Sequence, residues 1–236
     1  MCIRDRDQAT DTPTNNFCTW NPLCTTGDPP PRPGDQVFSE GNLKVVATGA
    51  QNNNGMSTMA VNTGKWYWEI RMSQSSDCSI YPGARSFDEN LQQATDPENY
   101  ITDGFVYKFN PGSSNNAKVY SFIAGSNTTS SAFDTYADDE ILGINLDLDN
   151  GKVYLSIDGT EMNSGNSVCD LTAGGPYFSP FYKHPGSGEG FTHVEANFGG
   201  VTPGGWTLSS AVNDGNGYGN FEHAPKTGHL ALCTKN

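Results

Sequence analysis

The stretch 138–159 constrains the fold of this chain most strongly, because apolar and polar residues alternate along it in two runs. The apolar parity comprises Leu142, Ile144, Leu146 and Leu148 in the first run and Val153, Leu155 and Ile157 in the second. Strict alternation is typical of a strand with one buried face. Asn150-Gly151 separates the runs, and residues that accept positive φ close tight hairpins. The stretch therefore predicts an antiparallel hairpin over about 140–158.

A single hairpin is only marginally stable in water, so its apolar face must pack against another sheet. Within residues 65–72 the side chains that share one parity are Trp66, Trp68, Ile70 and Met72. Polar side chains hold the other parity, which again predicts a strand with one buried face. The two tryptophans supply a large apolar area for the contact with the hairpin.

The composition favours one all-β domain. The 236 residues include 27 Gly and 14 Pro, which favour short strands joined by frequent turns. The formal net charge of −13 comes from 26 acidic and 13 basic residues. This balance argues against nucleic acid as a partner, because phosphate binding needs Lys and Arg. The chain lacks an apolar run of about 18 residues, so membrane insertion is not expected.

Three segments taken together resemble the successive signatures of the SPRY (B30.2) domain. They are Gly64-Lys65-Trp66-Tyr67-Trp68-Glu69, the hairpin segment 139–154, and Val194-Glu195-Ala196-Asn197-Phe198-Gly199, and their order and spacing also fit. The resemblance implies an all-β fold over residues 41–200. That fold is a SPRY-like, concanavalin-type antiparallel β-sandwich with long loops and little helix.

The segments on either side of this region are predicted to pack on the sandwich. Residues 7–40 are extended and rich in proline, with apolar anchors such as Phe17 and Trp20. Residues 201–236 carry further apolar side chains among glycines, and we expect this segment to be truncated. Residues 1–6 resemble a translated sequencing adapter and are left out of the fold prediction.

The two flanking segments also carry a second resemblance. Residues 13–17 and residues 229–236 are similar to segments that flank SPRY-type modules in virion proteins of marine bacteriophages. This resemblance implies a location in the phage particle, in a tail or fibre-like protein. A bacterial protein secreted by a signal peptide outside this sequence is the alternative location.

The sharpest candidate for catalysis is Asn145-Leu146-Asp147-Leu148-Asp149, because alternate residues of a strand share one face. Retaining glycosidases place two carboxyl groups about 5–5.5 Å apart in this way. Asn145 cannot act as the nucleophile, however, and Asp149 lies at the predicted turn. Polar residues at a strand end are the preferred interpretation, and we predict that the chain is not an enzyme.

The pattern of possible metal ligands is equally weak. The four histidines lack metal-ligand spacing, no C-x-x-C pair is present, and Asp147 does not begin a complete EF-hand loop. No cofactor or metal is therefore predicted. The cysteines are expected to be free thiols, and only Cys18 and Cys24 are close enough in sequence to suggest a disulfide.

A binding surface is the remaining interpretation, since rigid sandwiches carry recognition on their loops. Aromatic and Arg side chains are the usual energetic anchors of such surfaces. The candidates that fall in or beside predicted loops are Tyr81, Arg85, Tyr100, Tyr182 and His184. We therefore expect a non-catalytic module that binds a protein or a surface glycan. Two alternatives remain: a purely structural part that decorates the virion, and a polysaccharide-degrading enzyme on a similar sandwich.

Overall fold

The computed structural model describes residues 12, 14–27, 35–48, 53–74, 80–86, 101–108, 117–130, 133, 136–184 and 191–236. These residues form two β-sheets packed face to face, and their single helical element is a 3₁₀ segment at Met162–Gly165. All strand pairs that these residues form are antiparallel, except for one short parallel pair. The predicted all-β sandwich with little helix is confirmed.

The strands are numbered in chain order. The smaller sheet contains β1 Trp20–Gly27, β4 Asn53–Ser57, β6 Tyr81–Ser86, β7 Gly104–Lys108, β8 Lys118–Ile123, β9 Ser126–Thr129 and β14 Phe178–His184. The larger sheet contains β2 Gln36–Ser39, β3 Lys44–Ala47, β5 Lys65–Gln74, β10 Ile141–Asp147, β11 Lys152–Ile157, β12 Thr160–Glu161, β13 Cys169–Asp170, β15 Phe191–Asn197 and β16 Leu230–Ala231.

The spatial order of the smaller sheet is β1-β4-β14-β6-β7-β8-β9. The larger sheet runs β12-β11-β10-β5-β15-β3-β2, with β13 paired to β11 and β16 paired to β5. The apolar core lies between the two sheets. Its fully buried members include Trp68, Ile70, Leu142, Ile144, Leu146, Phe105, Tyr107 and Phe178. Strands β5 and β10 lie side by side in the larger sheet, so the prediction that the hairpin packs on the tryptophan strand from another sheet is wrong. Both strands turn their apolar faces toward the smaller sheet.

The central hairpin has the predicted strands but a longer connection. Asp147 pairs with Lys152, which leaves a loop of residues 148–151. Of the two residues predicted to close a tight hairpin, Asn150 and Gly151, only Gly151 takes a positive φ in this loop. A Cβ atom at Gly151 would lie 2.3 Å from the carbonyl oxygen of Leu171. Position 151 therefore requires glycine for two reasons, its positive φ and the close approach of this oxygen.

The dipeptide Asn54-Gly55 is typical of a tight turn and predicts one at this point of the sequence, but that prediction is wrong. Both residues lie inside β4, which pairs with β1 on one side and β14 on the other. Gly55 is opposite Tyr182, and a Cβ atom there would come within 2.6 Å of the Tyr182 hydroxyl. The glycine is present because an aromatic ring packs against the backbone, and not because the chain turns.

The N-terminal segment contributes a strand to the smaller sheet. Trp20 begins β1 and is fully buried, with its ring edge-on to Tyr182 at 4.7 Å and to Phe198 at 5.3 Å. Cys18 and Cys24 are free thiols. The adapter-like residues 1–6 lie outside the described residues, and the predicted domain bounds stay predictions.

The C-terminal segment covers the outer face of the larger sheet. Phe221 packs edge-on against Tyr67 at 4.8 Å, and Leu230–Ala231 pairs with β5. The cover buries outward-facing polar side chains, including Glu69 and Asn145. Strand β10 is consequently buried on both faces, whereas its alternation predicts burial of one face only.

Candidate functional site

A polar cleft lies between the outer side of the larger sheet and residues 223–229, which we call the cleft segment. Its volume is about 590 Å³, which falls within the range of roughly 300–1,000 Å³ usual for ligand sites. The lining residues are Lys65, Asn145, Asp147, Tyr154, Leu155, Ser156, Gly159, Glu161, His223, Ala224, Pro225, Lys226, Thr227 and His229.

The sheet wall of the cleft is built by strand alternation. Asn145 and Asp147 are two residues apart in β10 and so project from the same face. Across the sheet, Asn145 is in register with Tyr154 of β11, and Asp147 is in register with Lys65 of β5. The pattern that sends leucines into the core therefore places a row of polar side chains along the cleft.

The opposite wall, the cleft segment, is held by side chains of the sheet. The backbone N–H of His223 donates to Glu69 Oε1 at 2.8 Å, and the N–H of Glu222 donates to Glu69 Oε2 at 3.1 Å. Further along, the N–H of Lys226 donates to Asn145 Oδ1 at 2.9 Å. Buried acceptors on β5 and β10 thus fix a segment that has no regular secondary structure of its own.

Glu69 is fully buried and receives four donors in all. The other two are the Tyr67 hydroxyl at 3.1 Å and Asn197 Nδ2 at 2.9 Å. Burial raises the pKa of Glu69 to about 7, although each of the four hydrogen bonds favours the ionised form. The group that anchors the cleft segment therefore changes its charge close to neutral pH.

Two ion pairs lie in the cleft, and in each of them a carboxylate neutralises the charge of a lysine. Lys65 Nζ is 2.9 Å from Asp147 Oδ2, and Lys226 Nζ pairs with Glu161 Oε1. The Lys226 ammonium also lies 4.9 Å from the centre of the Tyr154 ring. Burial alone would raise the pKa of Asp147, but hydrogen bonds from Lys65 and Asn150 outweigh it and hold that pKa below its usual range.

His229 contributes a neutral imidazole to the cleft. Its side chain is 3% exposed, and Nδ1 lies 3.2 Å from the carbonyl oxygen of Lys226. A carbonyl only accepts, so Nδ1 carries the proton and Nε2 of the neutral ring is an acceptor. Burial lowers the pKa of His229. Among the described residues, nothing donates to this buried Nε2.

The three residues considered for catalysis all have structural partners. Asn145 accepts the Lys226 N–H, and Asp147 accepts two hydrogen bonds from Asn150 besides its ion pair with Lys65. Asp149 accepts the backbone N–H of Gly64 at 2.7 Å. An ionised Asp147 with a lowered pKa is poorly suited to act as a general acid near neutral pH. The arrangement fits the preferred interpretation of polar residues at a strand end.

Of the five predicted binding residues, the four that the structure describes lie on two opposite faces of the smaller sheet. All four lie in strands rather than loops and are buried, so their predicted place on a loop surface is wrong. Tyr81 and Arg85 are on the outer face of the smaller sheet. Tyr182 and His184 face the opposite way, toward the core. Tyr100 lies outside the described residues, and a binding role for the five stays a prediction.

The contacts of these residues explain their burial. The Tyr182 hydroxyl donates to Gln36 Oε1 at 2.5 Å, and its ring stacks on His184 at 6.0 Å. Burial lowers the pKa of His184 to about 3. On the other face, Lys183 Nζ lies 4.6 Å from the centre of the Tyr81 ring, and the Arg85 guanidinium lies 5.6 Å from that of Phe181.

The sequence analysis missed the cleft segment, because residues 223–229 lack an alternating or helical period. The only signal was the pair of polar residues Asn145 and Asp147 in an otherwise apolar strand. Within the described residues, no group of three or more His, Cys, Asp or Glu side chains could hold a metal ion. No helix in this part of the chain is long and apolar enough to cross a bilayer.

No protein-family model matches the chain, and no curated protein matches its sequence. Solved structures do share its fold. The SPRY domain of human HERC1 superimposes with a TM-score of 0.54 at 10% identity, covering 80% of this chain and 99% of that one. The TRIM65 PSpry domain gives a TM-score of 0.50 at 11% identity, with 77% of this chain and 89% of that chain covered.

A third similar structure is that of stonustoxin, with a TM-score of 0.50 and 14% identity. The match covers 69% of this chain but 27% of that one. These likenesses show that the chain has the fold of SPRY domains. At such low identity they show the fold alone.

Proposed function

We propose that this protein is a non-catalytic interaction module that binds a protein or a surface glycan in the polar cleft. The observation that carries the proposal is the cleft itself, with buried hydrogen-bonding groups along a wall that Glu69 and Asn145 hold in place. A site fixed by a rigid sheet loses little conformational entropy when a ligand binds.

The non-catalytic part of the proposal rests on the acidic residues. Asp147 and Glu161 are each paired with a lysine, and the carboxyl group of Glu69 lies beneath the cleft segment with four donors around it. A hydrolase that works through two carboxyl groups needs both of them to face the substrate, and the backbone of residues 222–223 covers Glu69, the carboxyl group with the raised pKa. The SPRY domains of similar fold are consistent with an interaction role.

A location in a phage virion, as part of a tail or fibre-like protein, is the finer part of the proposal. It is supported by the resemblance of residues 13–17 and 229–236 to segments that flank such modules. Mass spectrometry of purified phage particles from the source sample is the direct test. Peptides found only in the particle-free culture fluid would instead favour a secreted bacterial protein.

The binding proposal is tested by closing the cleft. Thr227 is exposed at the cleft, so Thr227→Trp places an indole there without disturbing a buried contact. Thr128→Trp is the matched control, since Thr128 is exposed on β9 of the other sheet. Both variants and the unchanged chain are applied to an array of bacterial surface glycans and to a displayed library of bacterial surface proteins.

We expect a specific ligand whose binding is at least about tenfold weaker for Thr227→Trp and unchanged for Thr128→Trp. A change of tenfold corresponds to about 1.4 kcal/mol. Equal binding by all three proteins would overturn the choice of the cleft. A folded protein that binds nothing on either screen would favour the structural virion part.

A further inference from the structure

The charge balance of the cleft favours an uncharged ligand. Its two lysines are each neutralised by a carboxylate, Lys65 by Asp147 and Lys226 by Glu161. An acidic or basic ligand would have to break one of these pairs to gain an attractive partner. A neutral ligand can bind without that loss.

The hydrogen-bonding groups that remain in the cleft are mixed in kind. Of the described residues, none bonds to the Tyr154 or Ser156 hydroxyls or to Asn145 Nδ2, and His229 Nε2 is a buried acceptor without a donor. Nδ2 of Asn145 is a donor only, and the two hydroxyls can donate or accept. Groups that both donate and accept, such as sugar hydroxyls, complement this set.

We propose that the polar cleft binds an uncharged, hydroxyl-rich saccharide through the Tyr154 and Ser156 hydroxyls and Asn145 Nδ2. The inference rests on the proposed function of the cleft and names its ligand class.

The lining also favours a saccharide over a peptide. Peptide partners are held mainly by aromatic, Arg or aliphatic anchors that enter apolar pockets. Only three lining side chains, Leu155, Ala224 and Pro225, are aliphatic, and Leu155 is buried in the core. The cleft therefore lacks the apolar depth that a peptide side chain needs, whereas polar contacts line it throughout.

The test is an NMR titration of the full ¹⁵N-labelled chain with named probes. Methyl α-D-glucopyranoside, methyl α-D-mannopyranoside, methyl β-D-galactopyranoside and their β(1→4)-linked disaccharides are the neutral set. Sodium D-glucuronate is the charged probe of similar size, and tetra-alanine amide is the peptide probe. The signals followed are the backbone amides of the cleft and the side-chain Nε2 of His229.

We expect at least one neutral saccharide to move the cleft signals and the Nε2 resonance of His229, and to bind at least tenfold more tightly than glucuronate. Tyr154→Phe, which removes one hydroxyl and keeps the ring, should weaken binding by about tenfold, and Ser156→Ala should act in the same direction. Tyr177→Phe is the matched control, because Tyr177 is 52% exposed away from the cleft. Its affinity should be unchanged.

Two results would overturn the inference. One is the absence of any cleft response to the whole neutral set, and the other is binding of glucuronate or the peptide at least as tight as that of the saccharides. If the Thr227→Trp experiment still identifies a ligand of the cleft, the proposed function stands and only the ligand class is wrong. If that experiment also fails, the proposed function falls with it.

Discussion

The carboxylate of Glu69 accepts the backbone N–H of His223 at 2.8 Å, across 154 residues of sequence. This bond joins the middle of the larger sheet to the cleft segment. Since the same carboxyl group also receives the N–H of Glu222, its charge bears directly on how firmly the segment is held.

The stability of the protein should depend on pH through Glu69. Its folded-state pKa of about 7 lies above the ordinary value of 4.5, so the folded protein binds more protons between these pH values. The stabilisation that comes from proton binding by Glu69 is fully present below pH 4.5 and is lost as the pH rises to 7. Compared with Glu69→Gln, the unchanged chain should lose about 2–3 kcal/mol of unfolding free energy over this window.

Urea unfolding of both proteins at half-unit steps from pH 4.5 to pH 8 measures this difference. Above pH 7 it should level off, because the carboxyl group is then ionised in both states. A difference that stays constant across the whole series would contradict the role given to Glu69.

Glu195 should show the opposite pH dependence. Its carboxylate is buried between Lys44 at 2.7 Å and Arg71 at 2.5 Å. Burial alone would raise the pKa of Glu195, but hydrogen bonds from these two side chains outweigh it and lower that pKa. The stabilisation is therefore present above pH 4.5 and lost as the pH falls. Glu195→Gln should cost about 2–4 kcal/mol at pH 7, since it leaves two cations without their partner.

Chemical denaturation at pH 7 and pH 3.5 is the measurement, and the gap between the two proteins should shrink at the lower pH. Asp170→Asn, which breaks the exposed pair with Lys152, is the control and should leave the unfolding midpoint unchanged. Equal effects of the two substitutions would show that burial of the Glu195 pair adds nothing.

Gly83→Ala should be strongly destabilising. A Cβ atom at this position would lie 2.0 Å from the carbonyl oxygen of Phe105 in the neighbouring strand. Because backbone atoms of a sheet cannot move aside separately, we expect a loss of about 3 kcal/mol or more. Gly215→Ala is the matched control, as nothing lies within 4 Å of its added Cβ.

The control should be neutral or stabilising by up to about 1 kcal/mol, because alanine restricts the unfolded chain. Thermal unfolding of both variants gives the comparison. A Gly83→Ala protein as stable as the control would mean that β6 and β7 are farther apart than described.

Trp20→Ala tests whether the N-terminal segment belongs to the folded unit. Trp20 is fully buried against Tyr182 and Phe198, and removing an indole from such a site costs about 3–5 kcal/mol. In the same strand, Leu23 is 95% exposed. Leu23→Ala should therefore change the stability by less than about 0.5 kcal/mol. Similar midpoints for both variants in guanidinium would show that β1 does not pack on the sandwich.

The strand pattern could be predicted from the sequence because it depends on local alternation. The runs at 140–158 and 65–72 each have a period of two and form strands, but these strands pair side by side in the larger sheet instead of packing face to face. Gly55 was misinterpreted because glycine serves both turns and close ring packing. The sequence alone does not distinguish these two uses.

The predicted loop positions of Tyr81 and Arg85 are wrong for a related reason. Tyr81 and Arg85 were placed beside a loop, yet β6 extends to Ser86 and buries both of them. The cleft could not be predicted either, since it depends on where residues 223–229 cross the sheet. That crossing is set by single hydrogen bonds to Glu69 and Asn145, which leave no periodic trace in the sequence.

The pairing of Leu230–Ala231 with β5 also has a consequence for synthesis of the protein. A ribosome makes the tryptophan strand early and the cleft segment some 150 residues later, as the 154-residue separation of Glu69 and His223 requires. Until residues 223–231 leave the ribosome, the polar outer face of the larger sheet stays in water. The nascent chain can thus form its sandwich core before the cleft segment covers the sheet and completes the cleft.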